Sequence, residues 1–446
     1  MGRIALTKIP YFSGAKTSKI SKSGIKTIDA LLFDDPYVWA GQVSDPNNNS
    51  TKITFSFVED INQQLFSSNY MTPNPNIDNI YSFNEDQRNA TSSALEEFSN
   101  IANISFSEIK ETITEVGTIR FGFTDHPRTL ISDDGSKELA WGWARAPSQS
   151  PSGGDIWISG AHKEETFIKG KDYNFYALMH EIGHSLGLAH PFSGIDRLLP
   201  EHDYRNYSIM SYSTPENGRW YDEDGNYHYL ISSKPMVFDI AALQYLYGAA
   251  SYNFTDTIYE YDPEIPLVEA IWDSGGIDTI DLSEFNKGAI LNLIPGSYST
   301  LRYTDWTMSD NFSIAYNAEI ENVVGGSGND QIYGNSLDNH IDGGLGNDSI
   351  KGGSGNDTLI SGRGNDIIDA GAGNDVIDDG AGDDDIDGGS GVDTLQRNFE
   401  SDYGRYSFTA SIDLNEGIIS SSMIESTLTD QIKNVENVNL SGAFHY

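Results

Sequence analysis

The segment His180-Glu181-Ile182-Gly183-His184-Ser185-Leu186-Gly187-Leu188-Ala189-His190 gathers three imidazoles and one carboxylate within eleven residues. On a helix, His180 and His184 lie one turn apart on one face, so both can reach a single zinc ion. Gly187 is free to take a positive φ, ending the helix and bringing His190 round as a third ligand. Glu181 is not needed as a ligand and is free to act as a base on water held by the metal. Three neutral imidazoles leave a coordination position open, which suits catalysis rather than a closed structural site. A bare H-E-x-x-H arises by chance in ordinary helices, whereas H-E-x-x-H-x-x-G-x-x-H is far more restrictive.

A second chemistry lies downstream. From Gly325 to Gln396 the chain repeats every nine residues for eight units, starting Gly325-Gly326-Ser327-Gly328-Asn329-Asp330-Gln331-Ile332-Tyr333. Position six is Asp330, Asp348, Asp357, Asp366, Asp375, Asp384 and Asp393, with Asn339 in the degenerate second unit. Position eight is always Ile or Leu, from Ile332 to Leu395. The glycines predict a tight turn with positive φ, followed by a three-residue strand with one apolar side chain turned inward. Stacked turns then align aspartates and carbonyls into oxygen-rich sites suited to calcium. Without cations the aspartates repel one another, so this half is expected to fold only on binding calcium. A disordered Gly-Asp linker would predict neither the fixed period nor the constant aliphatic.

Bulk properties bound the rest. At 446 residues, two domains are the default expectation. No apolar run is long enough to span a membrane, and the N-terminus lacks the apolar core of a Sec signal. The absence of cysteine excludes disulfides and thiolate metal sites. A net charge of −39 argues against nucleic acid or an anionic membrane as partner. The acids are concentrated: 325–396 holds 15 aspartates against Lys351 and Arg363.

Elements must position these groups. Residues 1–26 are polar and read as a leader or propeptide remnant, 27–250 as one domain and 251–446 as the other. Strands are expected at Lys52–Val58, Thr118–Phe123, Leu139–Ala144 and Asp155–Ile158. Helices are expected from the Asn84 cap to Ala102, from Asn174 to Leu188 with the histidines, and from Met236 to Tyr247. This alternation suggests an α/β layered first domain. Trp141 and Trp143 read as core or cleft wall, and if Leu139–Ala144 is a sheet edge, substrate could add to it as a strand. His126, His162, His202, His228, His340 and His445 read as ordinary surface or loop residues.

Ser208-Ile209-Met210-Ser211-Tyr212 follows the third histidine. With it the chain resembles the metzincin metalloproteases, whose long zinc motif precedes a Met-containing turn. Pro191 after His190, Ser-x-Met-Ser-Tyr, and the C-terminal nonapeptides resemble the serralysin subfamily with its RTX repeats. The resemblance runs from about Ile28 to Gln396 and includes Asp239-Ile240-Ala241-Ala242-Leu243. It implies an N-terminal α/β zinc-protease domain and a C-terminal parallel β-roll. It implies that His180, His184 and His190 bind zinc, that Glu181 activates water, and that Met210 forms an apolar floor. Tyr212 would be a further zinc ligand that swings away to stabilise the tetrahedral intermediate. Calcium sites map onto Asp273, Gly275, Gly276, Asp278 and Glu321, and onto the nonapeptide turns, including Gly326, Gly328 and the position-six aspartates.

The implied protein is a monomeric endopeptidase acting on protein or peptide substrates, secreted by bacterial type I export. Three features depart from the pattern. The loop from His190 to the Met-turn is short and contains Asp196, Arg197 and His202, so it could shape the cleft in its own way. Asn253 and Thr255 replace the usual Arg and Gly of the first calcium loop. The ending Gly442-Ala443-Phe444-His445-Tyr446 lacks the usual acidic residue before apolar ones, although Asp430–Val438 echoes Ala318–Val324. Two other classes compete: a calcium-binding adhesion protein with a vestigial metal half, and a zinc amidase or toxin with one narrow target. Intact His180, Glu181, His184, His190 and Tyr212 argue against decay.

Overall fold

The computed structural model describes residues 16–40, 50–59, 80–112, 115–125, 129–131, 137–150, 152–221, 227–303, 306, 308–398, 409–413, 418–422 and 427–441. They fall into two compact units, one drawn from Met1–Pro215 and Ile231–Tyr252, the other from Glu216–Leu230 and Asn253–Tyr446. The antiparallel strands Arg219–Tyr221 and Tyr227–Tyr229 therefore group with the second unit, although they precede the break expected at 250.

In the first unit the strands are β1 (Lys16–Lys19), β2 (Tyr37–Ala40), β3 (Thr51–Phe57), β4 (Ile80–Tyr81), β5 (Ile104–Glu108), β6 (Ile119–Thr124), β7 (Thr129–Ile131), β8 (Lys137–Leu139), β9 (Gly142–Ala144) and β10 (Ile156–Ser159). The helices are α1 (Lys26–Asp29), α2 (Glu85–Ile101), α3 (Tyr173–Ser185) and α4 (Val237–Tyr247). The main sheet runs β5-β3-β6-β10-β9, all parallel except β9, which pairs antiparallel to β10 at the edge. Strands β6 and β10 are buried along their whole length, as their nearly continuous apolar sequences require. Arg120 is the exception in β6. Its guanidinium is buried in a two-pronged pair with Glu111, at 2.7 and 2.9 Å.

Helix α2 starts where expected. Asn84 accepts from Gln87 N while the Gln87 side chain accepts from Asn84 N, a reciprocal cap that satisfies two otherwise orphaned donors. Its buried stripe of Thr91, Ala94, Leu95, Phe98 and Ile101 follows the helical period. Two local expectations fail. Leu139–Ala144 is not one strand, because β8 pairs with β7 and the chain breaks at Ala140–Trp141 before β9 begins. Residues 16–26 are packed rather than loose. There β1 pairs with β2, and Ser23 N donates to the Asp29 carboxylate at 2.6 Å. Residues 1–15 and 442–446 lie outside the described residues.

The second unit is a parallel β-roll. Successive nonapeptides supply strands alternately to two sheets, so like residues pair 18 apart: Ile332 with Ile350, Ile368 and Ile386 in one, Ile341 with Leu359, Ile377 and Leu395 in the other. These position-eight side chains are buried and form the core between the sheets. The first turn is built differently from the rest. Gly326 and Gly328 fall outside the positive-φ set that holds Gly344, Gly346 and most later turn glycines, and a Cβ there would collide with Phe285 O or Gly288 N. Asp430–Val438 closes the roll: Ile432 pairs with Ile386 and Val438 with Leu395.

Candidate metal centre

Helix α3 carries the metal segment because both of its ends are well specified. At the start, the Asp172 carboxylate accepts from Phe175 N at 2.9 Å. At the end, Leu188 N donates to Gly183 O at 2.9 Å and Gly187 N to His184 O at 3.0 Å. This paired closure requires a left-handed residue, and Gly187 supplies it with φ +107°. Ala189 N then donates to Leu31 O at 2.8 Å, fixing the strand-like run that delivers His190. The turn expected at Gly187 therefore does bring the third imidazole round.

The three Nε2 atoms lie within 4.8 Å of one another; His190 Nε2 is 3.2 Å from that of His180 and 3.0 Å from that of His184. Zinc–nitrogen bonds of about 2.0 Å in a tetrahedron put neighbouring donors about 3.3 Å apart, so the three nitrogens suit one zinc ion. The opposite ring nitrogens are engaged. His180 Nδ1 donates to Ile209 O at 2.8 Å and His184 Nδ1 to Leu188 O at 2.7 Å, which fixes the tautomer that leaves each Nε2 lone pair available to a metal. Burial, then the neighbouring His184 and His190, pushes the His180 imidazole well below its ordinary range, keeping it neutral. Glu181 is buried beside them.

The Met-turn is tied to the helices by three side chains. Tyr176 of α3 donates its hydroxyl to Ile209 O at 2.9 Å and is also 3.2 Å from Ser211 O. Asp239 of α4 accepts from Ser208 Oγ at 2.6 Å, and from Ile209 N and Met236 N at 2.8 Å each. Burial pushes the Asp239 carboxyl up to about 7 despite these bonds. Met210 is fully buried, its sulfur against Gly183 of α3. Tyr212 is half exposed, with its hydroxyl 2.9 Å from His190 Nε2 and its ring stacked near His180. Phe192 stacks on the outer face of His190 at 4.9 Å.

A cleft of about 210 Å³ opens beside His180 and Glu181, lined also by Ala140, Trp141, Gly142, Tyr173, Tyr176, Ala177, Arg205 and Tyr212. Trp141 is a wall residue, while Trp143 packs on Trp157. The loop residues expected to shape the cleft do not line it: Asp196 pairs with Lys22 at 2.6 Å, and His202 packs on Tyr207 and Phe238. Sequence reasoning passed over Arg205 and Tyr176. Its only clue to Asp239 was the helix signature, which gave no contact.

The second set of acids is also brought together. From Asp348 onward the position-six aspartates lend one oxygen to a backbone N–H 18 residues earlier: Asp348 Oδ1 to Asp330 N, Asp357 Oδ1 to Asn339 N and Asp375 Oδ1 to Asp357 N, each at 2.8 Å. The other oxygen of Asp348, Asp357, Asp375 and Asp393 is buried without a hydrogen-bond partner. Burial and neighbouring aspartates push Asp348 up to about 8 and Asp357 up to about 6. Aligned, desolvated and unmatched carboxylate oxygens fit a hard cation such as calcium. Upstream, Gly275 N donates to Asp273 Oδ1 and Asp278 N to Glu321 Oε2, so these predicted residues share one loop cluster. Asn253 joins it through Tyr259, which donates to Asp273. Asp379, Asp384 and Asp430 form a further triad with carboxylate oxygens within 4.8 Å.

Residues 75–208 match the family model described as Matrixin, and 238–412 match that described as Peptidase M10 serralysin C terminal. A serralysin of Photorhabdus sp. (strain Az29) is 33% identical over 323 residues, 67% of this chain and 61% of the relative. Serralysin G of Dickeya chrysanthemi is 32% identical over 306 residues, 64% of this chain and 59% of the relative. A serralysin of Proteus mirabilis is 32% identical over 286 residues, 57% of this chain and 55% of the relative. The chain thus spans about 60% of the length of these curated relatives. Histidine triad, Met-turn, β-roll and both family matches agree, and the chain belongs to the serralysin-type metzincins.

Proposed function

We propose that this chain is a secreted zinc endopeptidase that hydrolyses peptide bonds of extracellular proteins, with calcium holding its β-roll together. Residues 27–250 would carry the chemistry and 251–446 the calcium. The observation that carries this reading is the convergence of three imidazole Nε2 atoms within 4.8 Å, with buried Glu181 beside them. Zinc held by His180, His184 and His190 supplies Lewis acidity for a water molecule and for the substrate carbonyl.

The side chains do the rest. Glu181 takes the proton from the attacking water on its carboxylate and delivers it to the departing amine. The backbone carbonyls of Ile209 and Leu188 hold the imidazoles of His180 and His184 in register throughout. Tyr212 serves as an additional donor in the resting state, then swings to give its hydroxyl proton as a hydrogen bond to the oxyanion. Substrate lies antiparallel along edge strand β9, presenting its carbonyl over the three histidines. Asp273, Gly275, Gly276, Asp278 and Glu321 and the turn aspartates take calcium, with Gly326 and Gly328 contributing carbonyls in the first turn.

Metal analysis and casein cleavage of the purified chain test this. Glu181→Ala should retain one zinc and lose roughly 10³-fold or more in kcat. Full activity in that variant discards the assignment. Zinc without casein cleavage in the unmutated chain would favour a narrow target, and no zinc at all would favour a binding module.

A further inference from the structure

The cleft beside Glu181 has a wall whose chemistry the peptidase reading does not use. At about 210 Å³ it is smaller than a typical small-molecule pocket and suits one amino-acid side chain. Three of its lining residues, Ala140, Gly142 and Ala177, are small and leave the space open. Arg205 is the cationic residue of the lining.

Arg205 is held but not neutralised. Its guanidinium lies 5.3 Å from the ring centre of Tyr176 and 5.6 Å from that of Tyr173, and Nη1 donates to Thr214 Oγ1 at 3.3 Å. Its Nε is buried with no hydrogen-bond partner, and among the described residues no carboxylate pairs with it. Tyr176 cannot move to release it, because its hydroxyl is committed to the Met-turn carbonyls. The buried Nε is out of a ligand's reach, but a planar guanidinium that lines the cleft and is stacked on aromatic faces is a built receptor for a carboxylate through its terminal nitrogens.

The overall charge of −39 opposes this locally favourable pairing, since it repels acidic peptides. That repulsion is long-range and is screened beyond about 8 Å at physiological salt. An ion pair formed inside the cleft, partly shielded from solvent, is not screened in the same way. The short-range term decides.

We infer that Arg205 is a specificity-determining residue, selecting substrates with a glutamate or aspartate side chain next to the bond to be cut. This inference rests on the endopeptidase reading above. The test uses quenched fluorogenic peptides carrying Glu or Gln at each of the two positions flanking the cleaved bond, with the full chain loaded with zinc and calcium. At one position kcat/KM should favour Glu by about tenfold, equivalent to about 1.4 kcal/mol. Arg205→Gln should bring that ratio within about twofold, Arg205→Lys should keep part of it, and Arg205→Glu should turn the preference toward Lys.

A binding readout is independent of turnover. Labelled Glu and Gln peptides titrated against the Glu181→Ala chain should differ in Kd in the same direction. Equal ratios for the unmutated chain and Arg205→Gln would overturn the inference while leaving the peptidase intact. If Arg205→Gln does not fold, the unmutated chain decides: cleavage with no Glu preference overturns the role of Arg205. No cleavage of any peptide overturns the peptidase reading and this inference with it.

Discussion

The sulfur of Met210 lies 2.6 Å from the point where a Cβ on Gly183 would stand. The glycine between the two helical histidines is therefore a packing requirement, because the Met-turn presses directly on the helix backbone there. Gly183→Ala should force Met210 and its turn outward, and Ile209 O, the partner of His180 Nδ1, with them. The expected cost is about 1–3 kcal/mol of stability, despite the better helix propensity of alanine, with weakened zinc retention. Thermal melts and competition with a zinc chelator measure the two effects. An unchanged melt with unchanged zinc affinity would show that the turn relaxes freely.

Asp239 holds the same turn from α4. Asp239→Ala removes the acceptor of three buried donors, Ser208 Oγ, Ile209 N and Met236 N. Their desolvation then goes unmatched, at about 3–5 kcal/mol in sum. Chemical denaturation should show this as a lower midpoint with little change in slope.

Tyr212→Phe isolates the hydroxyl, which sits 2.9 Å from His190 Nε2. Phenylalanine keeps the ring stacked near His180, so the loss should fall on kcat, by about 10–100-fold, with KM nearly constant. A loss confined to KM would assign Tyr212 to substrate binding instead.

Protons and calcium should compete for the roll. Asp348 is raised to about 8 and Asp357 to about 6, against about 3.9 for an unfolded aspartate. A raised folded value means the folded state holds more protons, so the associated stability is present at low pH. It falls progressively as pH rises above about 3.9 and is gone past about 6 for Asp357 and about 8 for Asp348. In excess chelator, the β-type circular dichroism of the C-terminal half should be weak at pH 8 and partly recovered near pH 5. Saturating calcium should hold it constant across that window. A chelator-insensitive spectrum at pH 8 would refute cation-dependent folding.

The sequence made some of this legible because some of it is local. His180 and His184 need only the helical period, and Gly187 needs only its own φ to turn the chain toward His190. The nonapeptides declare the roll because each Ile or Leu at position eight points inward by the same rule. Asp239 reaches Ser208 across 31 residues, and Arg205 becomes a cleft residue only when its segment packs over α3; no periodicity encodes either. Strand β1, Lys-Thr-Ser-Lys, has no apolar alternation and forms because the backbone of β2 is there to pair with. Leu139–Ala144 alternates like a strand yet breaks, because β8 is drawn into a hairpin with β7.

Asp278 N is bound by Glu321 Oε2 and Asp393 N by Glu436 Oε2, each across 43 residues. The same clasp thus serves both ends of the roll, and the segment between repeats in steps of 18 residues. Length and termination are therefore separable properties. Deleting or inserting two nonapeptides removes or adds one strand in each sheet and moves one clasp along by about 4.8 Å, without rebuilding it. The length of the roll is thus set by the count of repeats between two matching clasps.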